Sequence, residues 1–285
     1  TVAALTITTL TATNDATING LTVGKGLASG SLNTALGVNA MNAITSGNSN
    51  TGLGNEALGA ATTGGNNTAV GSFSLGAATL TGSENTSVGS SALRNTTTGS
   101  NNTAVGYLGL NDNTTGASNT AIGHSSLLDN TTADFNTAVG RNSLRLNITG
   151  DSNTAVGEQA GRNNTIGSNN TSVGRNALFN NTVSNNTAVG KDALKANTTA
   201  SNNTAVGYEA ALSNTTGAID AFGRGAGRSN TTGSGNLAVG ETALYNNTNG
   251  GSNTAIGREA LNANTTAADN TAVGYAALTA NTTGA

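Results

Sequence analysis

From residue 33 onward the chain repeats itself about every 17 residues. The anchor N-T-A-V-G starts at Asn33, Asn50, Asn67, Asn85, Asn102, Asn119, Asn136, Asn153, Asn170, Asn186, Asn203, Ile219, Asn236, Asn253 and Asn270. Successive starts lie 17 residues apart, except for one interval of 18 and two of 16. The unit reads N-T-A-V-G-x-x-A-L-x-x-N-T-T-G-x-x. Its fifth position is glycine in all fifteen copies: Gly37, Gly54, Gly71, Gly89, Gly106, Gly123, Gly140, Gly157, Gly174, Gly190, Gly207, Gly223, Gly240, Gly257 and Gly274. The third position is always Ala, Ser or Gly, and the fourth is always apolar.

A unit this short cannot bury a core by itself, so its apolar residues must line up with those of its neighbours. The fold class that follows is mainly β: an elongated parallel β-solenoid of about fifteen 17-residue coils. T-A-V suits a short strand paired in parallel with the next coil. The glycine after it allows a sharp corner with positive φ. Two large apolar side chains per coil are expected to form the core ladder. One is the fourth residue (Val70, Val105, Ile122, Val139, Val189, Val273) and the other the ninth (Leu93, Leu144, Leu194, Leu261). The small third position is read as permitting another backbone to approach. The asparagines at the first and twelfth positions are expected to stack as amide ladders. Positions six to eleven, as in Lys191-Asp192-Ala193-Leu194-Lys195-Ala196, are good helix formers. A single helical turn is the favoured reading there and a second short strand the competing one. The charged residues gather in this segment, which reads as a solvated face.

Residues 1–32 lie outside the repeat and 33–285 form the shaft. Leu5–Leu10 alternates like a strand, and Ala16–Val23 reads as a hairpin around Asn19-Gly20. Together they make an N-terminal cap or joint. The chain begins at Thr1 without a methionine, which implies processing or a longer parent. Open ladder edges after Asn281-Thr282-Thr283-Gly284 imply continuation or end-on docking.

Composition narrows the function classes. Charged residues make up 9% of the chain and aromatics 3%; Pro, Cys and Trp are absent. A net charge of -3 gives no electrostatic reason to bind nucleic acid. No apolar run is long enough to insert into a membrane. Without cysteine there is neither a disulfide framework nor a thiolate metal site. His124 is the lone histidine, at a variable position, so no Ser–His–Asp set forms around it. Asp192, Glu209, Glu241 and Glu259 recur at solvent-facing positions and make no convergent acid pair. No catalytic, cofactor-binding or metal-binding residue is assigned, and the chain is read as a non-enzyme. Two copies carry glycine in place of the ninth-position leucine, Gly161 and Gly227. Each leaves a gap in the core unless something else fills it, read as a local kink or altered corner.

The pattern N-T-A-V-G-Y-x-A-L-x-x-N-T-T-G, with the lead-in A-T-I-N-G-L-T-V-G, resembles repeats of phage tail-fibre and related virion appendage proteins. It is also similar to the head repeats of trimeric autotransporter adhesins, although those are shorter. The likeness covers residues 16–285. It implies an extracellular or virion-borne fibre, commonly a homotrimer, that attaches to a glycan or protein receptor on a host surface. Many such fibres carry a C-terminal chaperone domain that cleaves itself off, and a chain lacking it fits a matured product. The alternatives are a self-assembling extracellular filament or sheath subunit, and an ice-binding solenoid. Ice binding ranks last because the second-position threonine is expected to be tied into corners.

Overall fold

The computed structural model describes residues 16–18, 21–24, 32–76 and 79–284. Strands β1 (Ala16–Ile18), β2 (Leu21–Gly24) and β3 (Thr34–Gly37) open a 17-stranded sheet, and one three- or four-residue strand per coil follows up to β17 (Thr271–Val273). β3 to β17 pair in parallel, each with the next, in the register the repeat dictates: Thr103 opposite Thr120, Ala104 opposite Ala121, Val105 opposite Ile122. The parallel β-solenoid is therefore the architecture of this chain. β1 and β2 pair antiparallel, as the hairpin reading requires, and β2 pairs antiparallel with β3. The Asn19-Gly20 turn and the strand expected over Leu5–Leu10 lie outside the described residues.

Positions six to eleven form neither a helix nor a second strand. No described residue is helical. The segment is a chain of tight turns closed by short bonds. In one coil Gly109 N–H donates to Gly106 O (3.4 Å) and Asn113 N–H to Leu110 O (3.3 Å). The seventh and ninth residues both have positive φ, +58° at Leu108 and +48° at Leu110, and this alternation of hand is incompatible with a helix. The helix-forming composition is overridden because every second N–H is committed to another coil. Leu110 N–H donates to Ser126 O (3.0 Å) and Leu108 N–H to Ser90 O (3.2 Å). A left-handed leucine costs about 1–2 kcal/mol. Burying its side chain returns about 1.5–3 kcal/mol, and the bond to the next coil adds to that.

The core also departs from expectation. The ninth-position residues Leu93, Leu144, Leu194 and Leu261 are fully buried. The fourth-position residues are not. Val70, Val139 and Val189 are half-exposed, and Val105, Ile122 and Val273 are exposed. Side chains alternate across a strand, so only the middle residue of T-A-V faces in. The third-position residue, such as Ala104 or Ala121, is completely buried. Its small size is what the narrow interior accommodates, with leucine filling the rest from the opposite wall.

Candidate functional site

Two polar ladders run through the interior and fix the coil path. Asn102 N–H donates to Asn85 Oδ1 (3.0 Å), and Asn119 N–H in turn to Asn102 Oδ1 (3.0 Å). Asn102 Nδ2 donates to Gly116 O near the end of the same coil (2.8 Å). The twelfth-position ladder works likewise: Asn130 Nδ2 donates to Asn113 Oδ1 (2.8 Å). These side chains are buried yet partnered, which is the condition under which buried amides stabilise. The fifth-position glycines complete the corner. Gly106 has φ +133°, and a Cβ there would stand 2.7 Å from Gly123 C. The whole series from Gly37 to Gly274 has positive φ.

The first-position ladder has one exception. Ile219 stands where asparagine is the rule, in the same coil that carries Gly227. A Cβ built on Gly227 would run into Ile219 Cδ1. The isoleucine therefore occupies the space of the missing leucine, and it is 3% exposed. Asn236 N–H, deprived of its usual amide oxygen, donates to Ala218 O instead (3.3 Å). At Gly161 the space is taken by Leu144, whose Cδ2 lies 2.9 Å from where a Cβ would be, and by the Ser172 hydroxyl at 3.2 Å. The buried apolar core is continuous from Ala35 to Ala160, and again from Ala177 to Ala272, with a break between.

Two outer surfaces are candidates for contact. The first is the sheet face. The second and fourth residues of every coil point outward, giving a row of threonines beside a row of aliphatic side chains from Leu36 to Val273. The threonines bonded into the backbone are those at the thirteenth position, such as Thr114 Oγ1 to Thr131 O (2.9 Å). Among the described residues, no second-position hydroxyl makes such a bond, so the expectation that it is tied into corners does not hold.

The second surface is the ridge of turns. Ten of the eleven basic residues occupy just two of the seventeen positions. Arg141, Arg175, Lys191, Arg224 and Arg258 are sixth residues; Arg94, Arg145, Arg162, Lys195 and Arg228 are tenth. All four tyrosines and His124 fall at the same two positions. The side chains stack rung on rung. Tyr107 and His124 have ring centroids 5.3 Å apart, Lys191 Nζ lies 5.3 Å from the Tyr208 ring, and Arg162 lies 5.7 Å from Phe179. Glu158 bridges Arg141 (3.9 Å) and Arg175 (3.6 Å). Arg228 Nε donates to Glu209 Oε2 (2.7 Å), and this bond, with one from Tyr208, holds the Glu209 carboxyl below its ordinary range. Arg224 does the same for Glu241. Burial opposes the charge of Asp192, but the bond from Asn176 (2.9 Å) and the Lys195 and Lys191 ammonium groups outweigh it and lower its pKa.

The acidic residues singled out from the sequence are thus ion-pair partners on the ridge, and Glu259 likewise pairs with Arg258 (3.0 Å). Among the described residues no cluster of His, Cys, Asp and Glu is arranged to hold a metal ion. No described helix is long and apolar enough to cross a membrane. Compared with family models, with curated proteins and with solved structures, the chain finds no match.

Proposed function

We propose that this chain is a rod-like, non-enzymatic segment of a surface fibre, the shaft of a viral tail fibre or a similar extracellular appendage. Its role is structural and adhesive, and it assembles as a parallel homotrimer. The observation that carries this reading is the outward aliphatic row. Fifteen rungs place Leu, Val, Ile or Phe on the same face without interruption, and many are more than a third exposed, as Val105, Ile122 and Phe222 are. At about 4.8 Å per rung the row is on the order of 70 Å long. An apolar stripe of that length on a solitary rod is a contact surface left uncovered. Three copies packed face to face around a shared axis bury it along its full length. A rod so assembled is stiff, repetitive and free of convergent chemistry, as a spacer carrying an adhesive surface needs to be.

The test is the mass of the protein in dilute native buffer. A 27.7 kDa chain is expected at three times that mass. Val139→Lys combined with Ile122→Lys should yield monomers with an unchanged far-UV spectrum. A stable wild-type monomer at micromolar concentration would sink the trimer, and masses that grow without limit favour a filament subunit. A second reading, ice binding, gains from the free row of second-position threonines beside the valines. Thermal hysteresis in the same preparation distinguishes it.

A further inference from the structure

We infer that the ridge patch formed by Arg141, Arg145, Arg162, Arg175, Lys191 and Lys195 binds a linear carboxylated polysaccharide laid along the stack. This deepens the adhesive reading above by giving it a site and a ligand class. The chain as a whole is negative, so the patch is not a by-product of overall charge. Its six cations share four successive coils with two ridge carboxylates, Glu158 and Asp192, and Asp129 stands at its border beside Arg145. Further along the ridge the balance is even: Arg224, Arg228 and Arg258 face Glu209, Glu241 and Glu259. Four further acids, Glu84, Asp134, Asp151 and Asp269, lie off the ridge, in the last two residues before the next anchor.

The form of the patch selects the ligand. Arginine supplies four of the six cations, and its planar fork matches a carboxylate in a two-bond geometry. Arg145 and Arg162 form no ion pair among the described residues; Arg162 donates to Asn163 Oδ1 (2.8 Å) and stacks on Phe179, and Arg145 stands beside Asp129. The Arg162 Nε is shielded and has no partner. Phe179 lies within the patch, and Tyr208 stacks on Lys191 at its end, giving apolar faces against which sugar rings can lie. Glu158, held between two arginines, accepts hydrogen bonds from sugar hydroxyl groups.

The experiment uses the intact protein with fluorescent polygalacturonate oligomers, its methyl-esterified counterpart, and a DNA duplex of equal charge. Wild type should bind the polyuronate, and binding should weaken as salt is raised. Arg145→Ala with Arg162→Ala should weaken it on the order of tenfold or more, while Arg224→Ala changes little. Unchanged affinity in the double variant, equal binding of the methyl ester, or tighter binding of DNA each overturns the proposal. Oligomer mass is read in the same samples. A trimer that does not bind removes this site alone, whereas a binding monomer removes the trimer and leaves the site.

Discussion

Ile219 and Gly227 should behave as one compensated unit, and a double-mutant cycle measures it. Ile219→Asn removes a buried aliphatic side chain, about 2–5 kcal/mol for a change of that size. It restores an amide oxygen for Asn236 N–H, now on Ala218 O at 3.3 Å, and an amide donor within the coil. At about 1 kcal/mol each, these leave a net loss of about 0–3 kcal/mol. Gly227→Leu drives its Cβ into Ile219, an overpacking cost of about 1–3 kcal/mol. Its φ of +57° adds about 1–2 kcal/mol of left-handed strain.

Together the two changes recreate the common coil, with leucine in the space isoleucine vacates. The double variant should lie within about 1 kcal/mol of wild type, which requires a coupling of about 1 kcal/mol or more. Urea midpoints at one fixed protein concentration report it, provided the slope is unchanged. Additivity of the two single variants to within about 0.5 kcal/mol would refute the filling of one space by two residues.

Two further outcomes follow from the corner and the ridge. Gly106→Val should destabilise strongly, because its Cβ meets the Gly123 backbone and a β-branched residue resists positive φ, whereas Tyr107→Ser should be mild; equal melting temperatures would remove the corner argument. Asp192 has a lowered folded-state pKa, so its contribution is present above the unfolded carboxylate pKa, about 3.9, and is lost as pH falls through the folded value. Asp192→Asn should therefore flatten the acid limb of the melting-temperature profile and leave its slope near neutral pH unchanged; identical profiles would contradict the linkage.

What the sequence disclosed depended on whether a residue's role was local to its place in the repeat. Glycine at every fifth position implies positive φ, and Gly106 at +133° has it. Asparagine at two fixed places, in a coil too thin to hide an unpaired amide, implies ladders, and Asn102 and Asn130 make them. The turn segment was opaque because Lys191–Ala196 has the composition of a helix, while its hydrogen bonds are claimed by other coils, as when Leu194 N–H donates to Ala210 O (3.0 Å). The pairing of Ile219 with Gly227 was equally hidden, since only the path of the coil brings them together. The basic patch had a readable signal. Cations confined to the sixth and tenth positions must stack once the units stack, but they were taken for an ordinary solvated face.

The fourth position shows most clearly how inside and outside are divided. Its invariant apolarity suggested a core residue, yet the strand turns it outward. The sixth position also faces solvent, and over the same fifteen coils it ranges from Val38 through Asn55, Tyr107 and Glu158 to Arg175. The fourth position varies only among Leu, Val, Ile and Phe. Strand preference and stacking on neighbouring rungs, which half-bury Val70, Val139 and Val189, account for part of this within one chain. The interior is already closed by the third-position residue, the ninth-position leucine and the amide ladders, and a polar side chain at Val105 would lose no intramolecular partner. A surface position that stays apolar in every coil, beside one that does not, is best accounted for by a second surface that covers it. In the trimer proposed above, another copy of this chain in parallel register would present an equally long, equally spaced apolar row.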